Sequence, residues 1–392
     1  MHGVAARATV ERMTRPRSTD WSDALLDAKR GEGDPSADAV VAAIFADGAE
    51  AARRVNELLR DLVDNDDVPA ASLPAEVRDY FLAGELPAWA DRDAIELASQ
   101  VFHRHAPAIV LLLHTAALPT CYAGRKGVQV LARTGQIHSN TQRRILETAQ
   151  FVIDVMAPGG LLQDPQRFGA GLRSAQKVRL MHATIRHFLR HDPTWDPAWD
   201  TPINQEDLAG TMLSFSAVTL HGLERLGIDL TVAEREAYLH TWNVIGALLG
   251  VDPALMPVDY HAAMRLGAAI VRRQHAPCPE GQMMTRALLD YLEYTLPGSA
   301  LDGLPALLMH DLDPAVAAIL GVERPAMHPR WILAMRTFGG IDDELGDHSA
   351  FLRRAAAFTG RLTLQGLLLA YRGPRRAPFR IPLALRETHR IL

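Results

Sequence analysis

The chain has 392 residues, of which 48% are hydrophobic and 22% charged, and it carries a net charge of −5. This is an ordinary soluble composition able to bury a large core, and its mild acidity gives no electrostatic footprint for nucleic acid as a partner. Its two cysteines, Cys121 and Cys278, form no CxxC, so neither a disulfide framework nor a thiolate metal site is indicated, and a reduced, cytoplasmic setting is expected.

Residues 1–35 are rich in Arg, Asp and Gly and close on Gly31-Glu32-Gly33-Asp34-Pro35, which predicts a flexible N-terminal extension. Arg7, Arg12, Arg15 and Arg17 are followed by no apolar stretch, so no secretory signal is expected. Residues 36–392 are expected to form one large all-α domain. Val40, Val41, Ile44 and Phe45 share one helical face, as do Val55, Leu58, Leu59 and Leu62, at the i, i+3, i+4, i+7 spacing of a helix that buries one side.

His103 and His105 stand two apart, so a helix points them in different directions and both read as structural. The apolar run from Ala106 to Leu118 holds Pro107 and His114 and falls short of the roughly 20 residues that span a bilayer. It reads as a buried core helix, and no integral membrane segment is expected. Gly124-Arg125-Lys126-Gly127 is too short for a phosphate loop. Farther on, Arg144 and Thr148 are i, i+4, with Phe151 and Val155 continuing the stripe, so both can face one pocket. Glu147 falls with Arg143, Gln150 and Asp154 on a more polar stripe, where it can pair with Arg143 in solvent. Met156-Ala157-Pro158-Gly159-Gly160 then ends the helix.

In the stretch from Gln176 to Leu189, Val178, His182, Ile185 and Leu189 fall on one face, while Arg179 and Arg186, with Arg190 just beyond, fall on another. One histidine therefore sits in an apolar stripe. A buried imidazole nitrogen without a partner costs about 1–3 kcal/mol, so His182 either bonds to a neighbouring element or binds something that fills the pocket, a metal or haem iron among the candidates. His187 and His191, also i, i+4, have metal-ligand spacing. They also lie at the helix end, where the macrodipole favours histidine.

A loop rich in Pro and Trp runs from His191 to Pro202, after which Asn204 with Glu206 and Asp207 reads as an N-cap and acidic first turn. Beyond Arg372 the chain places Arg375, Arg376, Arg380, Arg386 and Arg390 among prolines. Its apolar residues need cover, so this arm is expected to pack on its own domain or a neighbouring subunit, which is compatible with a homo-oligomer. There is no HExxH, P-loop, GxSxG or Glu-x-x-His pair.

The helix Val178-Arg179-Leu180-Met181-His182-Ala183-Thr184-Ile185-Arg186-His187-Phe188-Leu189, taken with the segment Pro202 to Phe215, resembles the rubber oxygenase (latex-clearing protein) family, which also includes the mycophenolic-acid-pathway oxygenases. Leu86-Pro87-Ala88-Trp89-Ala90-Asp91, Leu118-Pro119-Thr120-Cys121-Tyr122, Trp242-Asn243-Val244-Ile245-Gly246 and Leu249-Gly250-Val251-Asp252 carry the likeness across roughly residues 70–260. The resemblance implies a globin-like helical fold with haem b between helices and His182 as the proximal iron ligand. It also implies dioxygen as co-substrate for attack on carbon–carbon double bonds of an apolar, isoprenoid or lipid-like small molecule. The family's distal Arg-x-x-Lys-Thr is matched by Arg144-Ile145-Leu146-Glu147-Thr148, which makes Arg144, Glu147 and Thr148 the implied catalytic residues. Glu147 replaces a lysine there, and a carboxylate accepts protons where a lysine supplies a cation. That exchange favours one alternative, a haem-binding carrier or gas sensor that has lost the distal chemistry. An interaction protein without cofactor is a third reading, for which the purified protein would be colourless.

Overall fold

The structure, a computed structural model, describes residues 21–46, 75–134, 141–164, 167–295, 301–326, 328, 329 and 331. The fold begins earlier than the sequence suggests. Ser22 caps α1 (Asp23–Gly31), its side chain accepting from the Leu25 amide. Trp21 and Leu26 are buried, and the Trp21 indole donates to the Ala254 carbonyl at 2.9 Å. The extension expected over residues 1–35 is therefore corrected. Its second half is anchored because α1 buries apolar and charged side chains that the Gly/Asp-rich composition conceals, while residues 1–20 lie outside the described residues.

The helices follow in order: α2 (Pro35–Ala46), α3 (Ala75–Leu82), α4 (Arg92–Arg104), α5 (Ala106–Leu112), α6 (Leu118–Ala123), α7 (Val128–Thr134), α8 (Thr141–Met156) and α9 (Ala170–Arg190). After them come α10 (Gln205–Leu213), α11 (Thr219–Arg225), α12 (Val232–Leu248), α13 (Tyr260–Gln274), α14 (Pro279–Thr295), α15 (Leu304–Leu312) and α16 (Pro314–Ile319). The protein is all-α; among the described residues a small antiparallel hairpin pairs Gln163–Asp164 with Arg167–Phe168. The two expected breaks fall at helix ends, α8 stopping at Met156 and α9 at Arg190. Val55 to Leu62, and the basic arm beyond Arg372, lie outside the described residues.

α4 lies along α12, α8 along α9, and α9 along α2. The main core gathers residues from Trp21 to Trp331, with Ile109, Leu111 and Leu112 of α5 fully buried in it. The run Ala106–Ala123 is apolar and long enough to cross a membrane, but most of it is buried inside the fold. Two π-helical turns, Leu113–Ala117 joining α5 to α6 and Ser214–Val218 joining α10 to α11, pack against each other. Such turns bulge a helix and redirect its side chains, often beside a functional site. The close contact of α8 with α9 depends on Gly171: a Cβ there would meet the Asp154 carbonyl oxygen at 2.5 Å and Val155 Cα at 2.6 Å.

The first turn holds His114, 2% exposed, whose Nδ1 donates to the Val110 carbonyl at 2.6 Å. Burial lowers its pKa from the ordinary 6.5, with the bond to Val110 opposing. Below pH 6.5 the unfolded chain therefore takes up a proton that the native state refuses, so stability falls as pH drops through that value. Urea titrations of His114→Gln at successive pH values should show a flatter acid limb than the parent protein. An equal slope in both would refute this assignment.

Candidate functional site

The charged face of α9 sets the rotation of the helix. Arg179 donates to Asp34 from Nε at 2.5 Å and Nη2 at 2.9 Å. Arg186, fully buried, donates from Nε to Asp38 at 2.8 Å and from Nη1 to the Ile203 carbonyl at 2.8 Å. Arg190 reaches Asp38 at 3.3 Å. With the arginines committed to the start of α2, Val178, His182 and Ile185 line a cavity of about 820 Å³. Leu189 packs instead with Phe188 and Val130.

The cavity is walled by α6 to α10, the second π turn, α12 and α13. Phe215 and Trp242 stack in its wall at 5.3 Å. Ile203, also in the wall, has φ +50°, uncommon for a β-branched residue. Its carbonyl is the one that Arg186 holds, so the buried guanidinium fixes the strained turn.

His182 Nδ1 is buried with no hydrogen-bond partner among the described residues. Burial, assisted by the nearby Arg186 charge and opposed by Asp34, pulls its pKa down to about 4, so the ring is neutral at physiological pH. Arg144, Glu147 and Thr148, one side of α8, line the same cavity. Arg144 Nη1 donates to the Leu131 carbonyl at 3.0 Å. Burial lowers the Arg144 pKa, and the neighbouring Tyr122 and Glu147 act in the opposite direction. Gln150 shares the lining, and Asp154 is buried, so the stripe that carries Glu147 faces inward. The side chain of Arg143, its suggested solvent partner, lies outside the described residues.

His187 stacks on Phe45 at 4.6 Å, and His191 Nδ1 donates to the His187 carbonyl at 2.6 Å. Among the described residues no group of three or more His, Cys, Asp or Glu is placed to hold a metal ion. His103 donates to the Ser99 carbonyl at 2.8 Å, as its structural reading requires.

Asn204 caps α10 as expected, accepting from the Asp207 amide at 3.0 Å. Gln205 then clasps two distant loops, donating to the Gly33 carbonyl at 2.7 Å and the Gly250 carbonyl at 2.9 Å and accepting from the Asp252 amide at 2.7 Å. Gly250 has φ +83°, where a side chain would be strained. Asp207, Lys177 and His275 also line the cavity, and sequence reasoning missed all three in that role. Asp207 accepts from Arg30 at 3.0 Å, while burial raises its pKa against that pull. Its position inside an N-capping segment masked it as a dipole-stabilising residue.

The fold thus encloses a large, mostly apolar chamber, lined among others by His182, whose buried Nδ1 has no partner among the described residues, a form suited to an apolar ligand. The model of the family described as ER-bound oxygenase mpaB/B'/rubber oxygenase, catalytic domain, matches residues 103–341. The chain belongs to that family and is an oxygenase, an oxidoreductase. It is 27% identical over 343 residues to the rubber oxygenase of Streptomyces sp. (strain K30), covering 84% of this chain and 81% of the relative. Among solved structures, that of latex clearing protein LCP in the closed state matches with a TM-score of 0.72 at 23% identity, over 90% of this chain and 95% of the other, which shows a shared fold.

Proposed function

We propose that the protein is a haem b-dependent oxygenase that uses dioxygen to cleave or oxidise carbon–carbon double bonds of an apolar, isoprenoid or lipid-like substrate. The observation that carries the reading is the buried, unpartnered Nδ1 of His182 in a cavity shared with Arg144, Glu147 and Thr148. The residues fit the group: a broad apolar slot and a neutral imidazole nitrogen without a partner among the described residues suit a b-type haem. Haem b, when bound, supplies the redox-active iron that dioxygen chemistry requires.

His182 would hold the group, its low proton affinity keeping the ring unprotonated and able to donate a lone pair. The Arg144 guanidinium and Thr148 hydroxyl are hydrogen-bond donors for orienting an oxygen species in the chamber. The Glu147 carboxylate is a proton acceptor in the same chamber. Apolar walls, including Phe215 and Trp242, take the hydrocarbon and exclude water. Cytoplasmic residence is part of the same proposal, supported by Cys121 and Cys278 being unpaired, and cell fractionation tests it.

One absorption spectrum of the purified protein, before and after haem addition, together with oxygen uptake on a panel of alkenes, tests the function. A Soret band with alkene-dependent uptake is expected. A colourless protein that takes up no haem overturns the proposal, and a haem protein inert toward every alkene points to the carrier or sensor instead. Glu147→Gln, which keeps the shape and removes the charge, should leave haem content and melting nearly unaltered while shifting the ferric spectrum and its pH dependence. A ferric spectrum unchanged across the acidic-to-neutral range would remove Glu147 from the site.

A further inference from the structure

α13 offers two rows of side chains to the cavity. The inner row, Ala263, Ile270 and Gln274, is buried. The outer row, Met264, Ala268, Val271 and His275, repeats at i, i+4, i+7 and i+11, which keeps it on one face, and it lines the same cavity. That outer row also meets solvent: Met264 is 36% exposed and Val271 41%. Beside it, a Cβ on Gly267 would find nothing within 4 Å. An apolar strip that borders both the chamber and solvent, with open space above its glycine, is a path for an apolar chain.

His275 ends the strip in a fixed position. It is the C-cap of α13, its amide donates to the Val271 carbonyl, and it forms an antiparallel bridge with Gly124. The Arg125 amide donates to the Gln274 carbonyl at 3.0 Å and the Ala276 amide to the Ala123 carbonyl at 3.1 Å. His275 Nδ1 is nevertheless buried without a hydrogen-bond partner among the described residues. Burial lowers the pKa of the ring, with Asp313 opposing, so the ring is neutral and can donate or accept. Asp313 is occupied as the cap of α16, accepting from the Ala315 amide at 3.1 Å and the Val316 amide at 3.0 Å. A pure hydrocarbon would leave the His275 nitrogen unpaired, and a carboxylate would meet the like charge of Asp313. A hydroxyl does neither.

We propose that this face of α13 is the binding bed of a long-chain alcohol, its hydrocarbon along Met264, Gly267, Ala268 and Val271 and its hydroxyl hydrogen-bonded to His275. The inference rests on reading the cavity as the substrate site, and it names the substrate class as amphipathic. Oleyl alcohol and the alkene of the same chain lacking the hydroxyl are the probes, their binding to the full-length protein measured by equilibrium dialysis. The alcohol should bind about tenfold more tightly than the alkene. His275→Leu should erase that preference while keeping alkene binding, and His275→Gln should restore part of it. The Cβ of Gly267→Phe meets nothing within 4 Å and its ring occupies the open space beside the strip, so it should weaken both probes about tenfold or more, with the melting temperature measured to show that the fold is kept.

No preference in the parent protein, a preference that survives His275→Leu, or Gly267→Phe binding both probes as the parent does would each overturn the proposal. Haem content is recorded on the same samples. A missing Soret band with the expected preference and its loss in His275→Leu defeats the oxygenase mechanism alone, whereas a normal Soret band with a preference that His275→Leu leaves unchanged defeats the α13 bed alone.

Discussion

His182→Ala should abolish the Soret band, and with it any alkene-dependent oxygen uptake, while His187→Ala and His191→Ala retain both. The expectation rests on surroundings. His187 is stacked against Phe45, and His191 donates to a backbone carbonyl, so each ring already has a structural occupation. His182 alone of the three lines the large cavity with its Nδ1 unsatisfied. Truncating it removes a buried polar atom that no described residue partners, a change that costs the fold little, so circular dichroism and melting should stay near those of the parent. A full Soret band in His182→Ala would end the assignment of this residue as the iron ligand. A gross loss of helicity would instead assign it a purely structural role.

Glu206→Ala should be the most destabilising single substitution in the region around the site, lowering stability by about 3–5 kcal/mol. Glu206 is fully buried on α10 and accepts from Arg30 of α1 at 3.0 Å, Arg273 of α13 at 2.8 Å and Gln274 at 2.8 Å. Arg30 also donates to Asp207 at 3.0 Å and to Asp200, which Lys126 reaches at 2.8 Å. Removing the carboxylate leaves the buried Arg30 to Asp200 and Asp207 and Arg273 to the exposed Asp23 and Asp27; it takes away the buried anion that the two guanidinium groups share, and the desolvation left uncompensated between them sets the magnitude. The pair Arg272–Asp23, both side chains more than 60% exposed, is the control: Arg272→Ala should cost no more than about 1 kcal/mol. Urea unfolding of both variants measures the contrast. A Glu206→Ala protein as stable as Arg272→Ala would show that the cluster is solvated. Because Asp207 and Gln274 of this cluster also line the cavity, the variant should weaken ligand binding as well.

Much of the architecture follows from local rules. The apolar spacing of Val178, His182 and Ile185 against Arg179, Arg186 and Arg190 is a property of 3.6-residue periodicity, and α9 buries those two faces in different places. Asn204 caps α10 for the reason its side chain suggests, and the two Pro/Gly-rich segments end helices because proline removes a donor and clashes with the preceding turn. Glu147 was less legible. Periodicity alone set it on a polar stripe, and the direction of that stripe, toward the cavity, depends on how α8 packs on α9.

What the sequence determined by itself was the all-α class, the ends of α8 and α9 and the cap of α10, the burial of most of Ala106 to Leu118 and the placing of one histidine on an apolar face, because each depends on spacing within a single turn or a few. Only the tertiary structure decided that α1 belongs to the fold, that Arg30, Glu206 and Arg273 meet from three distant helices, and that Asp207, Lys177 and His275 line the chamber with His182 and Arg144. The physical reason is desolvation. Whether a charge or an imidazole is stripped of water depends on which remote elements close around it, and no local spacing encodes that closure.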